Sequence, residues 1–191
     1  MNMMRFQENT SSADTLGIVE CRTIATGVAL TDAMLKLAPV ELLRAATVCS
    51  GWYLIFIAGD RDSVQTSVAF AAESGRGLLG SYVLSNIDPQ VMAALKNPSR
   101  AEAGDAVAII EARTSSSGVA AADKAVKEAP VRLIRLVPGE GITGKSYFVL
   151  CGAVAAVEAG AEAARNVLGK HLVDSVVLAR PEEALLATLG R

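Results

Sequence analysis

The sequence predicts an α/β chain made of two tandem copies of one unit, each in the order β-α-β-β-α-β-α. Three observations lead there. The chain repeats itself: when Leu16–Arg44 is laid over Val107–Arg135, identical residues recur at one offset. Ile18, Glu20, Arg22, Thr23, Gly27, Val28, Asp32, Lys36, Pro39 and Arg44 meet Ile109, Glu111, Arg113, Thr114, Gly118, Val119, Asp123, Lys127, Pro130 and Arg135. Such self-similarity is the mark of a duplicated structural unit. Secondly, short β-branched runs alternate with segments whose apolar residues recur at three and four, the strand and helix signatures. Thirdly, a polar stretch holding Pro98 and Gly104 separates the copies.

Each element follows in order. LGIVEC (16–21) and AVAIIEA (106–112) are short, apolar and β-branched, and read as buried strands. Gly27–Ala38 and Gly118–Ala129 carry helical periodicity, and Pro39 and Pro130 end them, because proline lacks the N–H that a continuing helix needs. Two strands follow in each copy, 40–48 with 52–58 and 131–137 with 146–151. The first pair is joined by Cys49-Ser50-Gly51. The second pair is joined by a Gly-rich loop enlarged by Pro138-Gly139-Glu140-Gly141. Helices over 61–74 and 153–168, strands over 81–86 and 174–179, and short helices after Pro89 and Pro181 complete the copies. The expected division is a disordered tail over 1–14, a first domain over 15–96, a linker over 97–104 and a second domain over 105–191.

Composition narrows the function. The formal net charge is -2 and aromatics are 4% of the 191 residues. Neither a basic footprint nor a stacking platform for nucleic acid is expected. The longest apolar stretch, Tyr147 to Val157, is about half of the ~20 residues that a membrane helix needs. The opening residues lack the apolar segment of a signal peptide, so a cytoplasmic location is expected. Cys21, Cys49 and Cys151 are odd in number and form no CxxC pair, which argues against a disulfide framework. Cys21 and Cys151 lie in strands and read as core.

With LGIVE opening the first copy, the DAMLK-x-A-x-V helix end, the small-residue turn at 49–51, Gly59-Asp60 and Arg180-Pro181, the chain resembles the BMC domain of bacterial microcompartment shell proteins. Because each copy begins with its LGIVE-type strand, it is most similar to the non-permuted tandem kind. Within that kind it most resembles the tandem shell protein of propanediol-utilisation compartments that bears an iron–sulfur cluster. The resemblance implies two tandem BMC domains, each a four-stranded, mostly antiparallel sheet with flanking helices. It implies a homotrimer forming a pseudo-hexagonal disc, tiled with hexameric shell proteins around encapsulated enzymes. It places Cys49, Ser50, Gly51, Gly141, Ile142, Thr143 and Gly144 around a central pore. It assigns Lys36, Lys127 and Arg180 to tile edges. The first copy has Ile87-Asp88-Pro89 where the second has Arg180, so one edge arginine is missing. Read without the resemblance, these are solvated surface charges.

In the cluster-bearing relative a cysteine at the position of Cys49 ligates the cluster. The resemblance therefore implies one [4Fe-4S] cluster per trimer, held by Cys49 of each chain, for electron transfer or cluster transport across the shell, with an encapsulated redox enzyme as a further partner. Thiolates are the ligands such clusters need. One cysteine per chain yields three only on a three-fold axis. The second copy has no thiol at the matching place, near Ile142. The competing reading is that Cys49 is only a small turn residue.

Residues 139–146, GEGITGKS, match the phosphate-cradling pattern G-x-x-x-x-G-K-[ST]. That loop must open a helix, whose N-terminus helps hold the phosphate. YFVLC follows instead and reads as a strand, so the segment is expected to be a second pore loop. The leading expectation is a structural shell protein with no enzymatic activity. A shell trimer with a metal-free metabolite pore, a duplicated small-ligand sensor and a P-loop nucleotide-binding protein are the alternatives.

Overall fold

The computed structural model describes residues 14–96 and 104–189. Nearly all of the expected tail and linker, and the last two residues of the second domain, lie outside the described residues.

The first unit runs β1 (Thr15–Cys21), α1 (Ile24–Leu37), β2 (Glu41–Thr47), β3 (Tyr53–Gly59), α2 (Arg61–Glu73), β4 (Leu78–Leu84) and α3 (Pro89–Lys96). The second repeats it as β5 (Ala106–Ala112), α4 (Ser115–Glu128), β6 (Arg132–Val137), β7 (Ser146–Gly152), α5 (Val154–Leu168), β8 (Leu172–Ala179) and α6 (Glu183–Leu189), with a single 3-10 turn at Gly169–His171. Each unit holds a four-stranded antiparallel sheet, in the orders β2-β3-β1-β4 and β6-β7-β5-β8.

All of β1 is buried, because it is a central strand covered on both faces. One face meets the unit's own helices through Val19, Ile55, Ile57, Leu30 and Met34. The other face, with Leu16, Ile18, Leu54 and Phe56, joins the second unit in one continuous core. Continuous apolar runs rather than strict alternation are what such a two-sided strand requires.

Both long N-terminal helices start earlier than expected, at Ile24 and Ser115 rather than at Gly27 and Gly118. Thr23 and Thr114 are the reason. Each is extended, and its side-chain oxygen accepts the N–H of the residue three ahead, so it caps the helix. Gly27 and Gly118 instead allow close approach. A Cβ at Gly27 would strike the Tyr53 ring, and one at Gly118 would strike Ser146 Oγ. Strand β4 also begins earlier than expected, because an irregularity after Glu20 lets Cys21 pair with Leu78.

The units are joined physically as well as covalently. Helix α3 lies on β6 and α4 of the next unit while keeping contact with β2 of its own sheet, where Lys96 pairs with Glu41. The Gln90 amide donates to Val131 O at 3.3 Å and accepts from Leu133 N at 3.0 Å, extending the β6 edge as a strand would. The Asp88 N–H donates to Asp123 Oδ1 at 2.8 Å. Glu20, buried on the first sheet, accepts the Ser116 N–H in the first turn of α4 at 3.0 Å.

Candidate functional site

The β2–β3 and β6–β7 connections come together at one end of the chain. In the first, Gly51 N donates to Val48 O at 2.9 Å, and Val48 N donates to Trp52 O at 3.0 Å. This closes a tight turn with Cys49 and Ser50 at its apex, and Gly51 takes the left-handed conformation, φ 79°, that favours glycine. Cys49, Ser50 and Gly51 are all exposed.

The second connection is longer and more structured. Gly144 N donates to Gly139 O at 3.2 Å, and Lys145 N to Ile142 O at 3.1 Å. Pro138 O accepts from Ser115 Oγ at 2.6 Å, pinning the loop's start to α4. Gly141 and Thr143 are exposed and Ile142 is half-buried. Gly144 is buried, with the Trp52 ring lying where its side chain would be. Of the residues expected around a pore, Gly144 therefore serves packing between the two turns within this chain. The segment 139–146 leads into strand β7 rather than a helix, so it lacks the helix N-terminus that a P-loop uses.

The two turns are tied across the unit boundary. Arg44 on β2 pairs with Glu140, its Nε donating to Oε1 at 2.9 Å. The repeat partner of Arg44 behaves differently. Arg135 donates to Tyr147 Oη at 2.8 Å and lies over that ring. The first copy's turn is too short to hold a counterpart of Glu140, which accounts for the difference.

Among the cysteines only Cys49 is exposed. Cys21 is buried, and desolvation pushes its thiol up to about 11. Cys151 is buried in β7. Among the described residues no group of three or more His, Cys, Asp or Glu side chains is gathered to hold a metal within one chain. A site built on Cys49 needs further copies.

The charged residues expected at tile edges lie elsewhere on the surface. Lys36 is exposed and pairs with Asp32 at 2.6 Å. Lys127 pairs with Asp123 at 2.5 Å, close to the junction with the first unit. Arg180 is exposed, with left-handed backbone at φ 48° and its N–H donating to Asp105 O. Asn86, at φ 54°, has the matching conformation in the first copy. Nothing in the sequence marks Trp52, Glu140 and Arg44 as the groups that hold the turns. The enlarged loop was visible, but its partner lies in the other copy.

The BMC domain family model matches twice, over residues 15–87 and 106–181. The chain is 36% identical over 173 residues to the bacterial microcompartment shell protein PduT of Citrobacter freundii, covering 89% of this chain and 94% of that one. It is 36% identical over 70 residues to the carboxysome shell protein CcmK2 of Thermosynechococcus vestitus, covering 37% of this chain and 69% of that one. The crystal structure of a microcompartment protein from Desulfitobacterium hafniense DCB superposes with a TM-score of 0.84 at 38% identity, covering 90% of this chain and 97% of that one. No helix among the described residues is long and apolar enough to cross a membrane.

Proposed function

Because the chain belongs to the BMC-domain family, we propose that three copies form a pseudo-hexagonal shell tile whose central pore holds an iron–sulfur cluster on Cys49 of each copy. That the chain is a structural shell protein of the tandem-domain type follows from the family match and from relatives that are shell proteins rather than enzymes. The trimer, the pore and the cluster are the further reading.

The observation that carries it is the placement of Cys49. A thiol stands exposed at the apex of a short, hydrogen-bonded turn, and the matching loop of the second copy has none. Six domains around an axis then present three thiols. The donor chemistry suits a cluster, since thiolates are its ordinary ligands. Three of them leave one iron open to water, a small ligand or a redox partner. When bound, such a cluster supplies one-electron transfer at the shell, or is itself the cargo.

The chain's own residues set the turn. The Val48–Gly51 hydrogen bond fixes the direction of Cys49, while Trp52 on Gly144 and Arg44 on Glu140 hold the turn against the larger loop. Ser50, Gly51, Gly141, Ile142 and Thr143 complete the rim in this reading. Lys36, Lys127 and Arg180 meet neighbouring hexameric tiles, and an encapsulated redox enzyme is the electron partner.

The second reading is the same trimer with a metal-free metabolite pore, in which Cys49 is only a small residue of a tight turn. Anaerobic reconstitution with iron and sulfide, followed by electron paramagnetic resonance of the reduced protein, separates the two. The cluster reading expects a brown protein with a cluster signal that Cys49→Ser abolishes. A colourless wild type leaves the metal-free pore.

A further inference from the structure

Charge is distributed unevenly along the strands. The register places one end of each sheet beside the two turns: Cys21 pairs with Tyr53 and Leu78, and Ala112 pairs with Ser146 and Leu172. Just outside that end lie Arg22 and Arg76 in the first copy, and Arg113 and Lys170 in the second. Each copy thus sets a cation at the same two places, after its first strand and before its last. In the second copy the two are held side by side, because Arg113 Nε donates to Lys170 O at 3.2 Å. Lys145, at the foot of the second turn, adds another cation. All five are exposed, and none is in an ion pair among the described residues.

Few carboxylates answer them at this end. Glu140 is taken up by Arg44, Glu20 is buried, and Glu73, Glu111 and Asp174 remain. Helix α1 also begins here with no acidic residue in its first turn, and its N-terminus adds partial positive charge. At the opposite end Thr15 pairs with Gly59, and Ala106 pairs with Gly152 and Ala179. There stand Asp14, Asp60, Asp62, Asp88, Asp105 and Glu182, with Arg61 and Arg180 as the cations outside ion pairs. A chain of net charge -2 is therefore polarised along its strands, positive where Cys49 stands and negative at the far end.

We infer that the positive end is a docking surface for an acidic protein, whose carboxylates meet Arg22, Arg76, Arg113, Lys145 and Lys170 and bring that protein over Cys49. The cations are spread along the ends of both sheets and fringe an exposed turn, a layout that fits a broad partner surface rather than one small anion. Three of the five are arginines, whose planar fork pairs with carboxylates in a fixed geometry. Complementarity of this kind speeds encounter and sets orientation more than it tightens the complex, and salt screens it. What passes between the two proteins rests on the cluster reading above, whereas the docking itself does not.

The test titrates a fluorescently labelled acidic ferredoxin with the full chain and reads binding by anisotropy. Wild type is expected to bind at low salt, and about tenfold more weakly at physiological salt. Arg22→Glu with Arg76→Glu is expected to weaken binding about tenfold at low salt, and Lys170→Glu alone about threefold. Arg61→Glu with Arg180→Glu changes the net charge as much as the first pair, but at the opposite end, and is expected to stay within about twofold of wild type. All of these side chains are exposed, and far-ultraviolet circular dichroism checks that each variant is folded. No binding by wild type at low salt, or equal losses from the two double variants, overturns the docking. Displacement of the ferredoxin by citrate at constant ionic strength also overturns it, in favour of a small-anion site. Binding kept by a wild type that forms no cluster overturns the cluster reading and leaves the docking standing.

Discussion

Arg44 and Glu140 form an ion pair between the two copies, linking the strand before the thiol-bearing turn to the Gly-rich loop beside it. Both side chains are 30% exposed. A partly buried pair has less water to screen it than a surface pair, and removing one partner leaves the other charge uncompensated. Glu140→Gln is expected to cost about 1 kcal/mol, which lowers the melting temperature by roughly 2–4 °C in a chain of this size. A double-mutant cycle with Arg44→Met reads the coupling directly. Coupling near zero would mean that Trp52 on Gly144 alone holds the two turns together.

Glu20 gives the chain an unusual pH response. Burial pushes its carboxyl above the ordinary 4.5, outweighing the bonds from Ser116 that favour the anion. The folded chain then holds this proton more tightly than the unfolded chain does. Glu20 therefore contributes stability below the unfolded pKa that is lost as pH rises through the raised folded value. Glu20→Gln keeps an oxygen to accept the Ser116 N–H. The variant is expected to melt higher than wild type at pH 7 and to match it at pH 4. A variant that melts lower at pH 7 would show that the anion at the start of α4 is net stabilising.

The two capping threonines should differ in weight. Thr114 Oγ1 accepts the Ser117 N–H at 3.2 Å and donates to Ser117 Oγ at 2.7 Å, in a half-buried setting. Thr23 Oγ1 receives the Thr26 N–H at 3.4 Å in an exposed one. Thr114→Ala is expected to cost about 1 kcal/mol and Thr23→Ala less than half of that. Chemical denaturation of the two variants side by side checks the order. Equal losses would mean that the open first turn of α1 depends on its cap as much as the covered one does.

Much of this fold can be read along the chain, and the reasons are specific. Strand β1 is legible because burial on both faces leaves an apolar run broken only by Glu20 near its end, and β5 repeats that pattern with Glu111. Helices α1 and α4 are legible from periodicity and from Pro39 and Pro130, but their starts are not. Thr23 and Thr114 stand out as recurring identities before they stand out as caps. What the repeat cannot show is inequality between identical residues. Val28 and Val119 are the same side chain in the same place, and only the packing of one unit on the other separates them. The same holds at the turns. Cys49 is visible as a lone thiol in a small-residue turn, whereas Trp52 over Gly144 and Arg44 on Glu140 arise from contacts between residues distant in sequence.

The central claim is a ring of three chains whose Cys49 thiols share one cluster. Native mass spectrometry of the anaerobically reconstituted protein tests it most directly, because it weighs chains and metal in one species. The account predicts three chains of 19.8 kDa with a single iron–sulfur cluster, and three chains with none for Cys49→Ser. A wild-type trimer that carries no iron, or a cluster retained in Cys49→Ser, would contradict it.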